Sequence, residues 1–190
     1  MRKKLFTSLV LLALLTAGWT TVSAADLVTL ESVDAFVQNS YPLGELDDYM
    51  VTGFGAGGQL NLAVVTVPGL TPYIGLDYSY GISDSIWVDA FHDLSAFIGL
   101  GYEYPITDKF SAGASLAYGI VGHLAAGDVD RDGEDGLDFY IDQHLRIQFK
   151  AVYALTDRLG VYLSPLGELF LEQDHMGMLL GYQVGCRIQL

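Results

Sequence analysis

The chain has 190 residues, which is enough for one domain. It carries 23 acidic against 9 basic residues, a net charge of −14, and this balance argues against a nucleic-acid partner. Its single cysteine, Cys186, excludes an intramolecular disulfide bond.

The first 24 residues have the pattern of an export signal. Arg2, Lys3 and Lys4 precede an apolar stretch at residues 5–17, and the small residues Ser23 and Ala24 follow. This arrangement predicts a cleaved secretory signal peptide over residues 1–24 and leaves one domain at residues 25–190. No later apolar run reaches the roughly 18 residues that a membrane-spanning helix requires.

From residue 50 onward, apolar and polar residues alternate with period 2, which predicts β-strands. In chain order the alternating segments are residues 50–64, 74–82, 94–104, 110–120, 139–153, 159–171 and 176–190. Short connections at residues 67–72, 106–110 and 155–159 alternate with longer polar ones at residues 83–93, 124–138 and 173–175. Short turns at one end and long loops at the other are typical of bacterial membrane barrels, whose short turns are periplasmic.

Charge separates the two faces of these strands. The apolar parity holds residues such as Met50, Leu94 and Leu116, and Gln143 interrupts it in the fifth segment. The charged residues inside the segments all have the opposite parity: Asp77, Glu103, Asp142, Arg146, Lys150, Glu168, Glu172 and Arg187. Because one charge on a lipid-facing surface costs about 2–4 kcal/mol at the membrane centre, this separation predicts an apolar face toward lipid and a polar lumen.

A secreted soluble barrel with an apolar interior, as in lipocalins, would show the same alternation. Two features favour the membrane. The polar parity is rich in glycine and serine, which suit a narrow lumen. Aromatic residues of the apolar parity gather near both strand ends, as expected at two membrane interfaces. They are Tyr102, Tyr104, Phe110, Phe149 and Tyr153 at one end, and Tyr78, Tyr80, Tyr118 and Phe139 at the other.

Seven segments are one short of the even strand number of single-chain bacterial barrels. An eighth strand must precede residue 50, and residues 33–41 fit best because Val33, Ala35, Val37 and Tyr41 share a parity. Residues 42–49 then form the first outer loop, and the C-terminus is periplasmic. The predicted fold is all-β: an eight-stranded antiparallel up-and-down transmembrane β-barrel.

With strands and turns placed, residues 33–190 resemble the small eight-stranded outer-membrane barrels of the OmpA transmembrane domain, OmpX and OmpW type. The most specific parts are two similar turns, Ile106-Thr107-Asp108-Lys109 and Leu155-Thr156-Asp157-Arg158, and the C-terminal strand. That strand resembles the signal read by the barrel-assembly machinery, with Gln183, Gly185, Ile188 and Leu190 in the signal positions. It departs from the family at Leu190, where an aromatic residue is usual. The resemblance implies an outer-membrane location, lipid contact and the assembly machinery as a partner.

The predicted lumen is the first candidate functional region. It gathers the charged residues of the polar parity together with His144 and His123. Unpaired charges there would be costly, so we expect ion pairs that plug the barrel and fix its register. A narrow path for ions or small solutes between those pairs is the alternative, although eight strands leave an interior that side chains just fill.

The second candidate is an acidic loop. Asp128, Asp130 and Asp132 alternate before Gly133, as in calcium-binding loops, but position twelve of such a loop is Phe139 instead of glutamate. A solvated acidic loop is the simpler interpretation. By the predicted topology most of the 23 acidic residues lie in or beside outer loops, against one basic residue, Arg131. We therefore expect affinity for divalent cations, calcium included, either at this loop or diffusely.

Two further patterns bear on activity. His123, with Ser83 or Ser85 and Asp84 or Asp128, supplies the residue types of a hydrolase that acts on lipids, but no spacing is diagnostic, so we expect no catalytic residues and no enzyme. The glycines of residues 53–58 lie inside a strand with no following helix, which excludes a nucleotide loop. The sequence thus predicts a structural or surface-interaction role with no cofactor beyond a divalent cation, and names no extracellular ligand.

Overall fold

The computed structural model describes residues 27–128, 136–171 and 176–190. Eight antiparallel strands close into one barrel in chain order. They are β1 (Val28–Leu43), β2 (Thr52–Val64), β3 (Leu70–Ile82), β4 (Ala90–Pro105), β5 (Phe110–Gly127), β6 (Gly136–Ala154), β7 (Leu159–Leu171) and β8 (Met176–Gln189). A 3-10 helix, Gly44–Asp48, follows β1. No helix among the described residues is long and apolar enough to cross a membrane.

The predicted fold class is confirmed, and the missing strand is β1, which extends the predicted residues 33–41 at both ends. Several strands run further than the alternating pattern indicated. Ala90 pairs with Ala126 and Gly127 with Gly136, so the connections predicted at residues 83–93 and 124–138 are shorter than expected. The strands stay paired through their backbones at these positions, but alanine and glycine give no apolar alternation that could be recognised in the sequence. The barrel thus has a loop end, where these connections lie, and a turn end.

Both predicted turn copies have the same local structure at the turn end. Thr107 Oγ1 accepts hydrogen bonds from the backbone N–H of Lys109 and Phe110, at 3.3 and 3.0 Å. Thr156 Oγ1 accepts the equivalent pair from Arg158 and Leu159, at 3.2 and 3.0 Å. A threonine side chain that binds the backbone two and three residues ahead favours a tight turn.

The outer wall is apolar, as the parity predicted. Leu94 and Ile98 are each 63% exposed and Phe149 is 60% exposed, while their neighbours in sequence point inward. Such a surface is what a lipid phase covers. Among the apolar-parity residues whose burial is described, Met50 differs from the predicted lipid-facing orientation, because it is only 4% exposed. It precedes β2 and packs with Phe91 and Leu179 across the mouth of the barrel, because the chain turns inward before pairing begins.

The register shows how strongly the strands tilt. Following the paired residues around the barrel from Val33 returns to β1 at Leu43, ten residues further along the strand. The intermediate partners are Leu60, Ile74, Ile98, Tyr118, Leu145, Leu169 and Met178. This displacement over eight strands corresponds to a tilt of roughly 40°, within the range of membrane barrels.

Glycines on the inner face make room for the largest inward side chains. Gly75 is paired with Phe97, and a Cβ atom at Gly75 would lie 2.3 Å from that ring. Gly99 is paired with Tyr73 in the same way. On the next strands, Gly119 is the partner of His144. The lumen is therefore filled by side chains that reach across neighbouring glycines.

Candidate functional site

The centre of the lumen holds one buried arginine between two carboxylates. Arg146, on β6, is 1% exposed; its Nη2 lies 2.6 Å from Asp77 Oδ2 on β3, and its Nε donates to Glu168 Oε1 on β7. His144 Nδ1 lies 3.6 Å from the same Glu168 oxygen. The guanidinium also stands over the Phe97 ring, 4.3 Å from its centroid. Two carboxylates around one arginine compensate a charge that water does not reach.

A second group of charges lies toward the turn end. Arg187 donates from Nε to Asp34 Oδ1 at 2.8 Å and from Nη1 to Glu103 Oε2 at 2.7 Å. Lys150 Nζ donates to Asp34 Oδ2 at 2.8 Å, and Ser111 donates to Glu103 at 2.6 Å. Asp34 is fully buried, whereas the Glu103 side chain keeps 27% of its surface exposed. This group joins β1 to β4, β6 and β8.

A third group lies toward the loop end. His123 Nδ1 is 2.7 Å from Asp93 Oδ1, and His123 Nε2 is 3.6 Å from Asp142 Oδ2. The imidazole stacks on the Tyr140 ring at 4.9 Å between centroids and meets Phe170 edge-on at 5.5 Å. The position of the His123 ring is therefore fixed by two carboxylates and two aromatic rings of the lumen wall.

Uncharged side chains lie between neighbouring groups. Between the central and loop-end groups, the Phe170 ring stacks on His144 at 6.1 Å and meets His123 edge-on at 5.5 Å. Between the turn-end and central groups, Gln148 donates to Gln183 at 2.8 Å, and Gln183 donates to Gln38 at 3.0 Å. The same level holds an apolar cluster: Phe36, Tyr73, Phe97, Ala117, Val152 and Tyr162. Charges therefore pair within one group, and uncharged glutamines and rings occupy the space between one group and the next.

Apolar side chains close the loop end. Met50, Val88, Phe91, Phe170 and Leu179 form a buried cluster there, with Val121 and Ala125, and Leu46 and Trp87 pack against it. The 3-10 helix carries Leu46, so the first outer loop folds over the mouth of the barrel. In the lumen beside Lys150 and Arg187 the free space is about 30 Å³, close to the volume of one water molecule. A larger space of about 210 Å³, lined by Glu31, Glu103 and Arg187 among others, lies at the turn end.

The predicted lumen residues face inward wherever the structure describes them, and Glu172 lies outside the described residues. The sequence reasoning missed Asp34, which binds both Arg187 and Lys150, and Asp93, which binds His123. Both have the polar parity of their own strand. Asp34 lies within the predicted residues 33–41, whereas Asp93 lies one residue before the predicted start of β4 and is found only when the alternation is extended to Ala90. It also missed that large apolar side chains share the lumen.

The acidic loop is described only in part. Asp128 is half-buried at the end of β5, and Asp130 and Asp132 lie outside the described residues. Within residues 27–128, 136–171 and 176–190 no cluster of three or more histidine, cysteine or acidic residues has the geometry of a metal site. A calcium site at residues 128–132 therefore stays a prediction.

The candidate hydrolase residues have separate partners. His123 is buried beside Asp93, whereas Ser83 donates to the backbone oxygen of Tyr49 at 2.6 Å. Ser85 accepts from the backbone N–H of Trp87 at 3.2 Å, within its own loop. None of these contacts joins a serine to the histidine.

The C-terminal signal residues occupy both faces of β8. Gln183 is fully buried in the glutamine chain, and Gly185 leaves room for Tyr162, whose ring would lie 2.5 Å from a Cβ atom there. Ile188 and Leu190 face outward and are 49% and 70% exposed. Gly185 thus has a packing role in the closed barrel, while reading of this segment by the assembly machinery stays a prediction.

Solved structures of known proteins have an architecture similar to that of this chain. No family model and no curated protein matches the sequence. The crystal structure of the neisserial surface protein NspA is similar with a TM-score of 0.65 and 12% identity, covering 86% of this chain and 99% of that one. OprG of Pseudomonas aeruginosa is similar with a TM-score of 0.55 and 8% identity, covering 85% and 96%. The outer-membrane enzyme PagL has a TM-score of 0.52 and 15% identity, covering 84% and 99%.

These proteins are a surface protein, an outer-membrane protein and an enzyme, so a common architecture does not determine the role. What they share with this chain is the barrel. The chain has the fold of the small eight-stranded outer-membrane β-barrels.

Proposed function

We propose that this chain is a non-enzymatic outer-membrane barrel with a closed lumen, which presents acidic loops at the cell surface. The observation that carries the proposal is the obstruction of the lumen at its centre and at its loop end. Arg146 joins Asp77 of β3 to Glu168 of β7 across the interior, and the apolar cluster around Met50 and Phe91 covers the level above it. To pass through the lumen, an ion would have to break the ion pairs of Arg146 and cross the apolar cluster.

The acidic loops supply the surface role. Asp47, Asp48, Asp84 and Asp89 are exposed at the loop end, and the sequence adds further acidic residues at 128–135. Such a surface repels anionic partners and attracts divalent or organic cations. Loop lengths favour an outward loop end and a periplasmic C-terminus. Sequencing the N-terminus of the exported protein is expected to give Ala25 as its first residue.

Conductance across planar lipid bilayers tests the closed lumen. Purified wild-type barrel is expected to leave the bilayer at baseline, under conditions in which a general porin inserted in parallel gives regular steps. Insertion is verified on the same sample by the shift in electrophoretic mobility between unheated and boiled protein. Reproducible, ion-selective steps from the wild-type barrel would replace the closed lumen by a narrow channel, which is the alternative function.

Two further measurements address the other assignments. Mass spectra of lipid A and phospholipids from overexpressing cells are expected to match those of control cells, and a modified lipid would establish an enzyme.

Calcium titration of the folded barrel is expected to show binding that falls when Asp128, Asp130 and Asp132 are changed together to asparagine. Equal binding by this triple variant would place the cations diffusely over the loops.

A further inference from the structure

The outer wall contains an apolar groove that crosses five strands. Two neighbouring rows of paired, outward-facing residues border it. One row is Val33, Leu60, Ile74, Ile98 and Tyr118, and the other is Gly58, Leu76, Ala96 and Ile120. The groove is open on its outer side and has a volume of about 830 Å³. Because the rows follow the strand tilt, it rises from the turn end of β1 toward the loop end of β5.

A bare glycine deepens the groove. Three outward glycines can be compared: the Phe139 ring covers Gly122 at 3.1 Å from an added Cβ atom, and Leu180 covers Gly167 at 3.4 Å. At Gly58 no side chain lies within 4 Å of that position, and its nearest atom is the backbone oxygen of Asp34. The small side chain of Ala96 continues the depression two strands away. The wall of the barrel therefore leaves this space for something else to fill.

A polar residue stands at the upper end of the groove. Gln143, the interruption of the apolar parity, is the partner of Ile120 and so the next member of the second row. Its Oε1 accepts a hydrogen bond of 2.6 Å from the Tyr118 hydroxyl. Among the described residues nothing binds its two amide N–H donors. In lipid an unsatisfied N–H is costly, so an acceptor from the bound phase is expected beside it.

We propose that this groove binds one glycerophospholipid with an ammonium headgroup. Its acyl chain lies over Gly58 and Ala96, and its ester carbonyl accepts a hydrogen bond from the Gln143 amide. The inference rests on the membrane location proposed above. The groove is continuous with the lipid-facing wall, so acyl chains reach it without entering the barrel.

Charge selects the headgroup. The loop end of the barrel is acidic. The connection between β3 and β4 exposes Asp84 and Asp89, and the sequence of the connection between β5 and β6 has five acidic residues against one basic residue, Arg131. No lysine or arginine occurs between residues 42 and 108, and the acidic residues of the β5–β6 connection outnumber Arg131, so the charge of these loops is net negative. A headgroup with an ammonium is attracted there, whereas anionic phosphatidylglycerol or lipid A is repelled.

Native mass spectrometry of the detergent-purified barrel tests the proposal. Barrel is incubated with equal amounts of phosphatidylethanolamine, phosphatidylglycerol and lipid A, and the lipid retained after detergent exchange is counted. Wild type is expected to keep one phosphatidylethanolamine. Gly58→Leu and Ala96→Leu, which fill the groove from two strands, are each expected to lose at least about tenfold in retention. Gln143→Leu is expected to lose about two- to tenfold, the value of one hydrogen bond.

Ala114→Leu is the matched control, because Ala114 is an exposed outward alanine of β5 outside the groove. It adds the same bulk and is expected to retain lipid as wild type does. Retention by the Gly58→Leu and Ala96→Leu variants equal to that of wild type would overturn the proposal. A preference for phosphatidylglycerol or lipid A, or retention of no lipid by wild type, would overturn it as well.

The mobility shift of each sample separates this proposal from the proposed function. A barrel that inserts into liposomes but retains no phosphatidylethanolamine contradicts the groove alone. A wild-type chain that does not insert contradicts the membrane barrel, and the groove with it.

Discussion

The central and turn-end charge groups use similar residues in different surroundings. Around Arg146, both carboxylates and the guanidinium are almost completely buried, and the nearest other groups are aromatic or histidine rings. Around Arg187, Asp34 has a second cation in Lys150, and Glu103 is partly exposed beside the space at the turn end. A cation removed from the centre leaves charges that water cannot reach, whereas the turn-end group has a substitute. The burial of each arginine, more than its number of contacts, therefore determines how much its removal lowers the free energy of unfolding.

The largest expected effect is that of Arg146→Met. It leaves Asp77 and Glu168 buried without a cation, so the free energy of unfolding is expected to fall by about 3–5 kcal/mol. Guanidinium unfolding of barrels in liposomes, followed by tryptophan fluorescence, measures it. A triple variant in which Asp77 and Glu168 also become leucine should recover most of the loss. If the triple variant is no more stable than Arg146→Met, uncompensated charge is not the cause.

Arg187→Met is expected to cost less, about 1.5–3 kcal/mol, because Lys150 still neutralises Asp34 and water reaches Glu103. The same unfolding measurement applies, with Lys109→Met as a control for loss of one positive charge at an exposed turn. Equal losses for Arg187→Met and Arg146→Met would remove the distinction between the two groups.

Packing differs between the two regions as well. A Cβ atom at Gly119 would lie 2.6 Å from the backbone oxygen of Ala96 and would displace His144 in the central group, so Gly119→Ala is expected to cost about 1–3 kcal/mol. At Gly101 the nearest atom would be Ser115 Cβ at 3.2 Å, beside free space, and Gly101→Ala is expected to cost about 0.5 kcal/mol or less. Similar losses at both glycines would show that the turn end is as tightly packed as the centre.

Salt gives the smallest expected effect. Raising the salt concentration to 1 M is expected to reduce the Arg187→Met loss by a few tenths of a kcal/mol, because ions screen the accessible part of that group. The Arg146→Met loss is expected to stay the same. A salt dependence of the Arg146→Met loss would mean that solvent ions reach the centre of the lumen.

The outer wall could be predicted from the sequence because each of its residues is specified independently. Alternation fixes which way Leu116 or Tyr102 points, without knowledge of any partner. The orientation of Met50 was predicted wrongly because this residue lies just before β2, where the chain does not yet have the alternating geometry of a strand. The bounds of β4 and β5 were also underestimated, since Ala90 and Ala126 pair through the backbone and carry little apolar signal.

The arrangement of the lumen could not be predicted because it depends on register. Asp77 and Arg146 lie on β3 and β6, and only the tilt of the barrel brings them to one level. The pairing of Gly75 with Phe97, or of Gly119 with His144, is equally invisible until strands are aligned. Parity therefore identified the inward residues but gave no partners, and it did not reveal that uncharged side chains lie between the charge groups.

The contacts between the first and last strands have a consequence for how the barrel forms. Asp34 is paired with Arg187 and Gln38 with Gln183 across the junction of β1 and β8. Until that junction closes, Asp34 lacks its contact with Arg187 and Gln38 lacks its contact with Gln183. Closure and ordering of the interior are thus one cooperative event, and a half-open barrel is a high-energy species. These contacts between β1 and β8 form only when the two strands pair in the correct register.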